Sequence, residues 1–385
     1  MLISNVHRLA LIFLVLSLTP FALQDCGRKS QQAGANRNIQ NSNAETDALL
    51  QQRATTTAEM YYGITIEDTD EPNSILSTIE RIKREAKGKK VAVRIVIDPD
   101  HDVNDEEYKK RVALLKQGSD MVMALIGDSH DVHKFKDVKS YRRRIRECYK
   151  ALGESVDVWE IGNEVNGVWA GWEEKEGVPD EQQPWNQRGA DRKGKRDLIG
   201  KQIKGAYDEL LDLNKNVKMA LTLYYSGDRE ENNPCWDGPE YVMSRWIDDH
   251  IKDRAMRERL NYVLVSFYSD DCPVISDNTE DGARQWATIF NSLSAAFRNA
   301  DVGFGEFAPQ CSRYEECQTN KNRLCPDCVN DQIKFIPKYY KEYDKRLKES
   351  VHKYMGGYFY WYGLQDMIPG NTKVVDALIK ALNEP

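Results

Sequence analysis

The sequence lacks several features, and each absence closes off a class of function. There is no cationic excess: 54 Lys and Arg face 61 Asp and Glu, for a net charge of −7. That argues against a general polyanion or nucleic-acid binder, because such affinity rests on neutralising phosphates with basic side chains. Local basic runs such as Tyr141-Arg142-Arg143-Arg144 read as solvated helix faces. No G-x-G-x-x-G follows the first predicted strand, where Gly63 stands alone, so a dinucleotide-binding turn is not indicated. Histidine is scarce, with six in 385 residues, and the predicted strand ends carry no clusters of His and Asp for a metal-dependent hydrolase. The apolar run Leu9 to Leu18 is too short to span a bilayer as a helix.

That run reads instead as part of an export signal. His7 and Arg8 precede it, Thr19-Pro20 break it, and small residues follow near Ala22, so residues 1–24 are expected to be a signal peptide. Cys26 offers a membrane tether through a lipid anchor. Gln24 and Asp25 suit the positions before a lipoprotein cysteine poorly, which favours a secreted form over a cell-surface one. Residues 25–57, rich in Gln, Asn, Ser, Ala and Thr, lack apolar periodicity and are expected to form a disordered tether. Residues 58–385 are left as one globular domain, expected to be a monomer.

Eight cysteines in an exported chain point to disulfides. Cys148 falls on the apolar face of a predicted helix and reads as a buried thiol. Cys235, Cys272, Cys311, Cys317, Cys325 and Cys328 fall in predicted loops. Zinc is the alternative for the last four, but their spacing is irregular and no histidine lies close by.

From residue 58 onward, short apolar runs alternate with amphipathic stretches, the pattern of repeated βα units around a parallel sheet. Strands are predicted at Tyr62–Ile66, Val91–Ile97, Met121–Ile126, Val156–Ile161, Val217–Tyr224, Tyr262–Phe267, Val302–Phe304 and Gly357–Trp361. Their near-continuous apolar character suits strands buried on both faces. Helices are predicted between them, several ending at glycine, as at Gly88, Gly118 and Gly153, with one running over Ile333–Leu347. Eight strands and eight helices in alternation give the count of an α/β fold of the (β/α)₈ barrel type.

Barrels place reactive groups at the C-terminal ends of their strands. The fourth predicted strand runs into Trp159-Glu160-Ile161-Gly162-Asn163-Glu164, and the seventh into Gly303-Phe304-Gly305-Glu306. Each delivers a carboxylate to the barrel mouth, and glycosidic cleavage needs two, one on either side of the anomeric carbon. For either glutamate alone, a structural ion pair is the competing explanation.

In these features the sequence resembles the (β/α)₈ retaining glycosidases, the superfamily of cellulases, mannanases, xylanases and β-galactosidases. The resemblance covers residues 58–385 and rests on Asn163-Glu164 ending strand four and Glu306 ending strand seven. It implies Glu164 as acid/base and Glu306 as nucleophile, with Asn163 on a sugar hydroxyl. It also implies that Arg94 and Tyr268 orient the nucleophile and that Trp361 forms the floor beneath the sugar. Arg94, flanked by Val93 and Ile95, needs an acidic partner in any role. Several families of this type carry a histidine two residues before the strand-six tyrosine, where this chain has Ser266. His130 is a further candidate sugar contact or a surface-loop residue. Trp169, Trp172, Trp185 and Trp236 follow strands four and five, either as stacking platforms for a glycan or as packing within long loops. The implied partner is an oligo- or polysaccharide, and the chemistry requires no metal or organic cofactor. A transglycosylase with the same site and a non-catalytic glycan-binding protein on the same fold are the alternatives.

Overall fold

The computed structural model describes residues 58–67, 72–86, 88–175, 178, 182–187, 189–225, 238–269, 275–309, 325–361, 363–368, 370 and 372–384. The predicted signal and tether, Cys26, Trp236, Cys235, Cys272, Cys311 and Cys317 lie outside them.

Eight parallel strands close into a barrel in sequence order: β1 (Tyr61–Glu67), β2 (Lys90–Ile97), β3 (Met121–Ile126), β4 (Val158–Glu160), β5 (Lys218–Tyr224), β6 (Tyr262–Tyr268), β7 (Asp301–Ala308) and β8 (Gly356–Tyr360). Helices fill the crossovers, among them α1 (Pro72–Glu85), α2 (Glu106–Gly118), α3 (Val138–Leu152) and α4 (Arg192–Leu213). Side-chain caps fix several N-termini: Asp105 opens α2, and Asp137 forms a reciprocal capping box with Ser140 at α3. Among the described residues, no helix is long and apolar enough to cross a membrane.

Two cores result from the alternation of side chains along each strand. Val91, Val93 and Ile95 of β2 face outward against the helices, while Ala92 and Arg94 face inward. The lower barrel is filled by Tyr61, Ala92, Met121, Met123, Val158, Ala220, Tyr262, Leu264, Met355 and Phe359. These apolar side chains form a packed floor, on which the polar residues of the mouth stand.

The structure departs from the sequence expectation at three elements. Strand four is shorter than predicted and ends at Glu160, so Asn163-Glu164 lies beyond it. The chain still tracks β5 there, with Ile161 N–H donating to Ala220 C=O at 2.9 Å and Thr222 N–H to Gly162 C=O at 3.0 Å. Strand seven is longer than predicted and carries Glu306 within it. The single helix expected over residues 333–347 is instead α-helix at Pro326–Pro337, π-helix at Lys338–Tyr343 and α-helix at Asp344–Ser350. Pro337, at the first junction, has no N–H to donate, which breaks the regular ladder.

Cys148 is a free, buried thiol whose pKa is pushed up to about 12, mainly by burial. Cys325 and Cys328 are both disulfide-bonded.

Candidate active site

The barrel mouth gathers side chains from five of the eight strands and the loops that follow them. Arg94 of β2 is wholly buried, and its Nε and Nη2 donate to Glu160 Oε2 and Oε1 at 2.6 and 3.0 Å. Its Nη1 donates to Glu306 Oε1 at 3.0 Å. Burial opposes the Arg94 charge, but the two glutamates more than offset this, and the guanidinium pKa is raised. The acidic partner that Arg94 required is therefore Glu160.

Glu306 accepts from three different elements. Besides Arg94, Asn163 Nδ2 donates to Oε1 at 2.6 Å and Tyr268 Oη donates to Oε2 at 2.9 Å. Its pKa is nevertheless pushed up to about 7. Burial is the largest cause. Arg94 pulls the value down, Asp128 and Glu160 push it up as like charges, and the Tyr268 bond lowers it.

Glu164 has a different set of neighbours. Ser266 Oγ donates to its Oε1. Trp169 Nε1 reaches Oε2 at 3.2 Å and Ser129 Oγ reaches it at 3.4 Å. Its backbone has a φ of 45°, in the left-handed region that a residue with a Cβ enters at a cost of about 1–3 kcal/mol. The surrounding loop holds that conformation. Gly167 N–H donates to Glu164 C=O at 2.7 Å, and the Asn166 side chain bonds Tyr224 N–H and the carbonyls of Tyr224 and Tyr241 at 2.7–2.8 Å.

One strand links the two carboxylates. Ser266 and Tyr268 lie two residues apart on β6, on the same face of the strand, and one donates to Glu164 while the other donates to Glu306. Asn163 forms a second link, because its Nδ2 also donates to Asp128 Oδ1 at 2.8 Å. Its own Oδ1 is buried and has no hydrogen-bond partner among the described residues, leaving an acceptor at the mouth.

The remaining candidates divide. Trp361 follows β8 with its ring 5.7 Å from Arg94 Cζ, a cation–π distance, and it is partly exposed. Trp169 and Trp185 are not exposed platforms. Both are buried with Val168, Tyr224 and Tyr241, so these rings pack within the loop, and the Trp169 indole serves as a donor to Glu164. Trp172 is partly buried beside them under Lys195 Nζ, 4.8 Å from its ring. His130 is partly exposed on the rim, 5.8 Å from the Trp185 ring, with Nδ1 3.8 Å from Glu174 Oε2. Trp236 lies outside the described residues. Sequence reasoning missed Glu160, Asp128, Ser129, Asn166 and Thr222 as parts of the network.

Compared by sequence, the chain matches no protein-family profile and no curated protein. Compared by structure, it is similar to a thermostable mutant of a xylanase from Cellvibrio japonicus. That likeness has 11% identity and a TM-score of 0.51, and covers 87% of this chain and 99% of that one. A family 1 β-glucosidase from Thermotoga maritima is similar at 13% identity and a TM-score of 0.50, covering 86% of this chain and 99% of that one. The chain has the fold of these glycosidase barrels. At such identity the likeness is one of fold, and any chemistry must be argued from the residues at the mouth.

Proposed function

We propose that the chain is a retaining glycoside hydrolase acting on β-linked oligo- or polysaccharides, with Glu306 as nucleophile and Glu164 as acid/base. One observation carries the reading: two buried glutamates share the mouth, each held by donors of a different kind. Glu306 faces a guanidinium, an amide and a phenol, while Glu164 faces two hydroxyls and an indole. A cation favours the ionised form at Glu306, as a nucleophile needs. Glu164 has no cation among those donors, which suits a group that must hold and release a proton. The fold is shared with proteins named as a xylanase and a β-glucosidase, which supports a β-linked substrate.

In the first step a Glu306 carboxylate oxygen attacks the anomeric carbon. The bond to the leaving oxygen breaks, and that oxygen takes the Glu164 proton. In the second step the Glu164 carboxylate removes a proton from water, whose oxygen attacks the same carbon and frees Glu306. A double inversion retains the anomeric configuration. Retention requires carboxyl groups roughly 5–5.5 Å apart. Asn163, with a free acceptor oxygen, would take a sugar hydroxyl, and Trp361 would support the ring.

The test is a screen on β-linked polysaccharides and aryl β-glycosides, with Glu306→Gln and Glu164→Ala as controls. Turnover by the wild type that both variants lose supports the assignment. Turnover unchanged in either variant contradicts it.

A further inference from the structure

Arg94 divides its charge unequally. A carboxylate that meets a guanidinium through two parallel N–H bonds neutralises it more completely than one that meets a single N–H. Glu160 has the pair and Glu306 has the single bond. Glu160 is itself firmly placed, 1% exposed, with its backbone in the ladder between Leu125 and Ala220. Thr222 Oγ1 donates to Glu160 Oε1 at 2.5 Å, the same oxygen that accepts from Arg94 Nη2.

The charges around Glu306 come from several elements. β2 supplies Arg94, the loop after β3 supplies Asp128 through Asn163, and β4 supplies Glu160. The loop after β4 places Glu164 on Ser266, two residues before Tyr268 on β6, which donates to Glu306. β8 places Phe359 in register with Glu306 and Trp361 over Arg94. Thus two further carboxylates, Asp128 and Glu160, act on the buried Arg94–Glu306 contact, and the one bonded to the cation is Glu160.

We infer that Glu160 is a positioning residue that competes with Glu306 for Arg94 and thereby sets how readily Glu306 ionises. It acts in two ways of the same sign: it draws the guanidinium away, and it adds a negative charge of its own. The chemical consequence is a nucleophile that keeps its basicity. A carboxylate gripped by both arms of an arginine is easily ionised but a weak attacker, whereas one sharing the arginine attacks better once ionised. This deepens the assignment of Glu306 as nucleophile, and the direct test reads the Glu306 carboxyl whatever its role.

The full chain is labelled with [δ-¹³C]glutamate, and the Glu306 resonance is identified by its loss in Glu306→Gln. Its titration is then compared among wild type, Glu160→Gln and Thr222→Val. In Glu160→Gln the midpoint should fall by about one pH unit or more, because a like charge is gone and Arg94 is free to turn to Glu306. In Thr222→Val, which keeps every charge, Glu160 loses its hydroxyl donor and leans harder on Arg94, so the midpoint should rise. An unmoved or rising midpoint in Glu160→Gln overturns the inference. If that variant does not fold, Thr222→Val decides: a rise supports the inference, and no change or a fall overturns it. The second readout is the acidic limb of kcat/KM on a 4-nitrophenyl β-glycoside, which should move with the resonance. A resonance that moves without the limb leaves the Glu160 effect standing and rejects Glu306 as nucleophile. A resonance that stays rejects the Glu160 inference alone.

Discussion

Gly305 and Glu306 are neighbours in sequence, yet both face the barrel interior. A Cβ on Gly305 would sit 2.6 Å from Thr222 Cγ2 and 3.2 Å from Leu264 Cβ, against the inner face. Glu306 meets Arg94, Asn163 and Tyr268 on the same side. Strict alternation would have sent one of them out to the helices. The register between β6 and β7 slips in this stretch: Val265 pairs with Phe304, but Phe267 pairs with Phe307, so three steps on β7 match two on β6. That extra residue is a β-bulge, and it turns Glu306 inward at the cost of one irregular ladder position.

Filling the space that the bulge requires should be harmful. Gly305→Ala forces a methyl group onto Thr222 and Leu264 in a closed barrel. The expected loss is about 1–3 kcal/mol of stability, measured by urea denaturation, together with a fall in kcat as Glu306 is displaced. Wild-type stability in Gly305→Ala would rule out the tight inner packing at this point.

The raised pKa of Glu306 has a definite sign in kinetics. Attack needs the carboxylate, and the group is protonated below its value of about 7. The kcat/KM profile should therefore bend downward on the acidic side near pH 7, well above the range of an ordinary carboxylate, and fall about tenfold per unit below that. For stability the sign is opposite. A folded-state value above the unfolded one stabilises at low pH, and that contribution is lost as pH rises from the ordinary glutamate value of 4.5 through about 7. Glu306→Gln removes this loss, so its melting temperature relative to wild type should climb across the same interval. Thermal scans at pH 5 and pH 8 check it.

The donors to Glu164 can be removed one at a time. Ser266→Ala deletes a hydroxyl, and Trp169→Phe deletes the indole N–H while keeping most of the buried ring. A hydrogen bond to a charged group contributes about 1.5–3 kcal/mol, so each change should lower kcat by roughly 10- to 100-fold on substrates with poor leaving groups. Activated dinitrophenyl glycosides need little protonation and should suffer less in the first step. Equal losses on both substrates would argue against an acid/base role for Glu164.

Arg94 is the cation on which the mouth depends. Arg94→Met leaves Glu160 and Glu306 buried without their partner, and breaking a buried pair in this way costs about 3–5 kcal/mol. The variant should denature at markedly lower urea at pH 8 and recover part of the difference at pH 5, where a carboxyl can take up a proton.

Much of this was legible in the sequence, and the reasons differ from residue to residue. The runs Met121–Ile126 and Tyr262–Phe267 read as strands because burial on both faces leaves little room for polar residues. That Glu164 and Glu306 stand at the barrel mouth followed from their places at the ends of strand-like runs four and seven. Glu160 was overlooked although a signal existed. It shares the parity of Val158, which faces inward, and a charge on an inward face next to Arg94 on β2 calls for a pair. The bulge at Gly305 left no comparable trace, since a slip in register depends on the neighbouring strand. Nor could the sequence decide whether Trp169 stacks on a sugar or packs in its loop, because a large ring serves both ends. The outcome depended on Ser129, Tyr224 and Tyr241, which arrive from the loop after β3, the end of β5 and the turn beyond it.

The most direct measurement is to trap the enzyme in mid-reaction. A 2,4-dinitrophenyl 2-deoxy-2-fluoro-β-glycoside, of the sugar that the activity screen selects, is incubated with the protein and the digest is analysed by mass spectrometry. The account predicts one fluoroglycosyl unit on the peptide carrying Glu306, and none in Glu306→Gln. Time-dependent inactivation with the label on Glu164, or steady turnover of the parent glycoside with no covalent adduct, would contradict it.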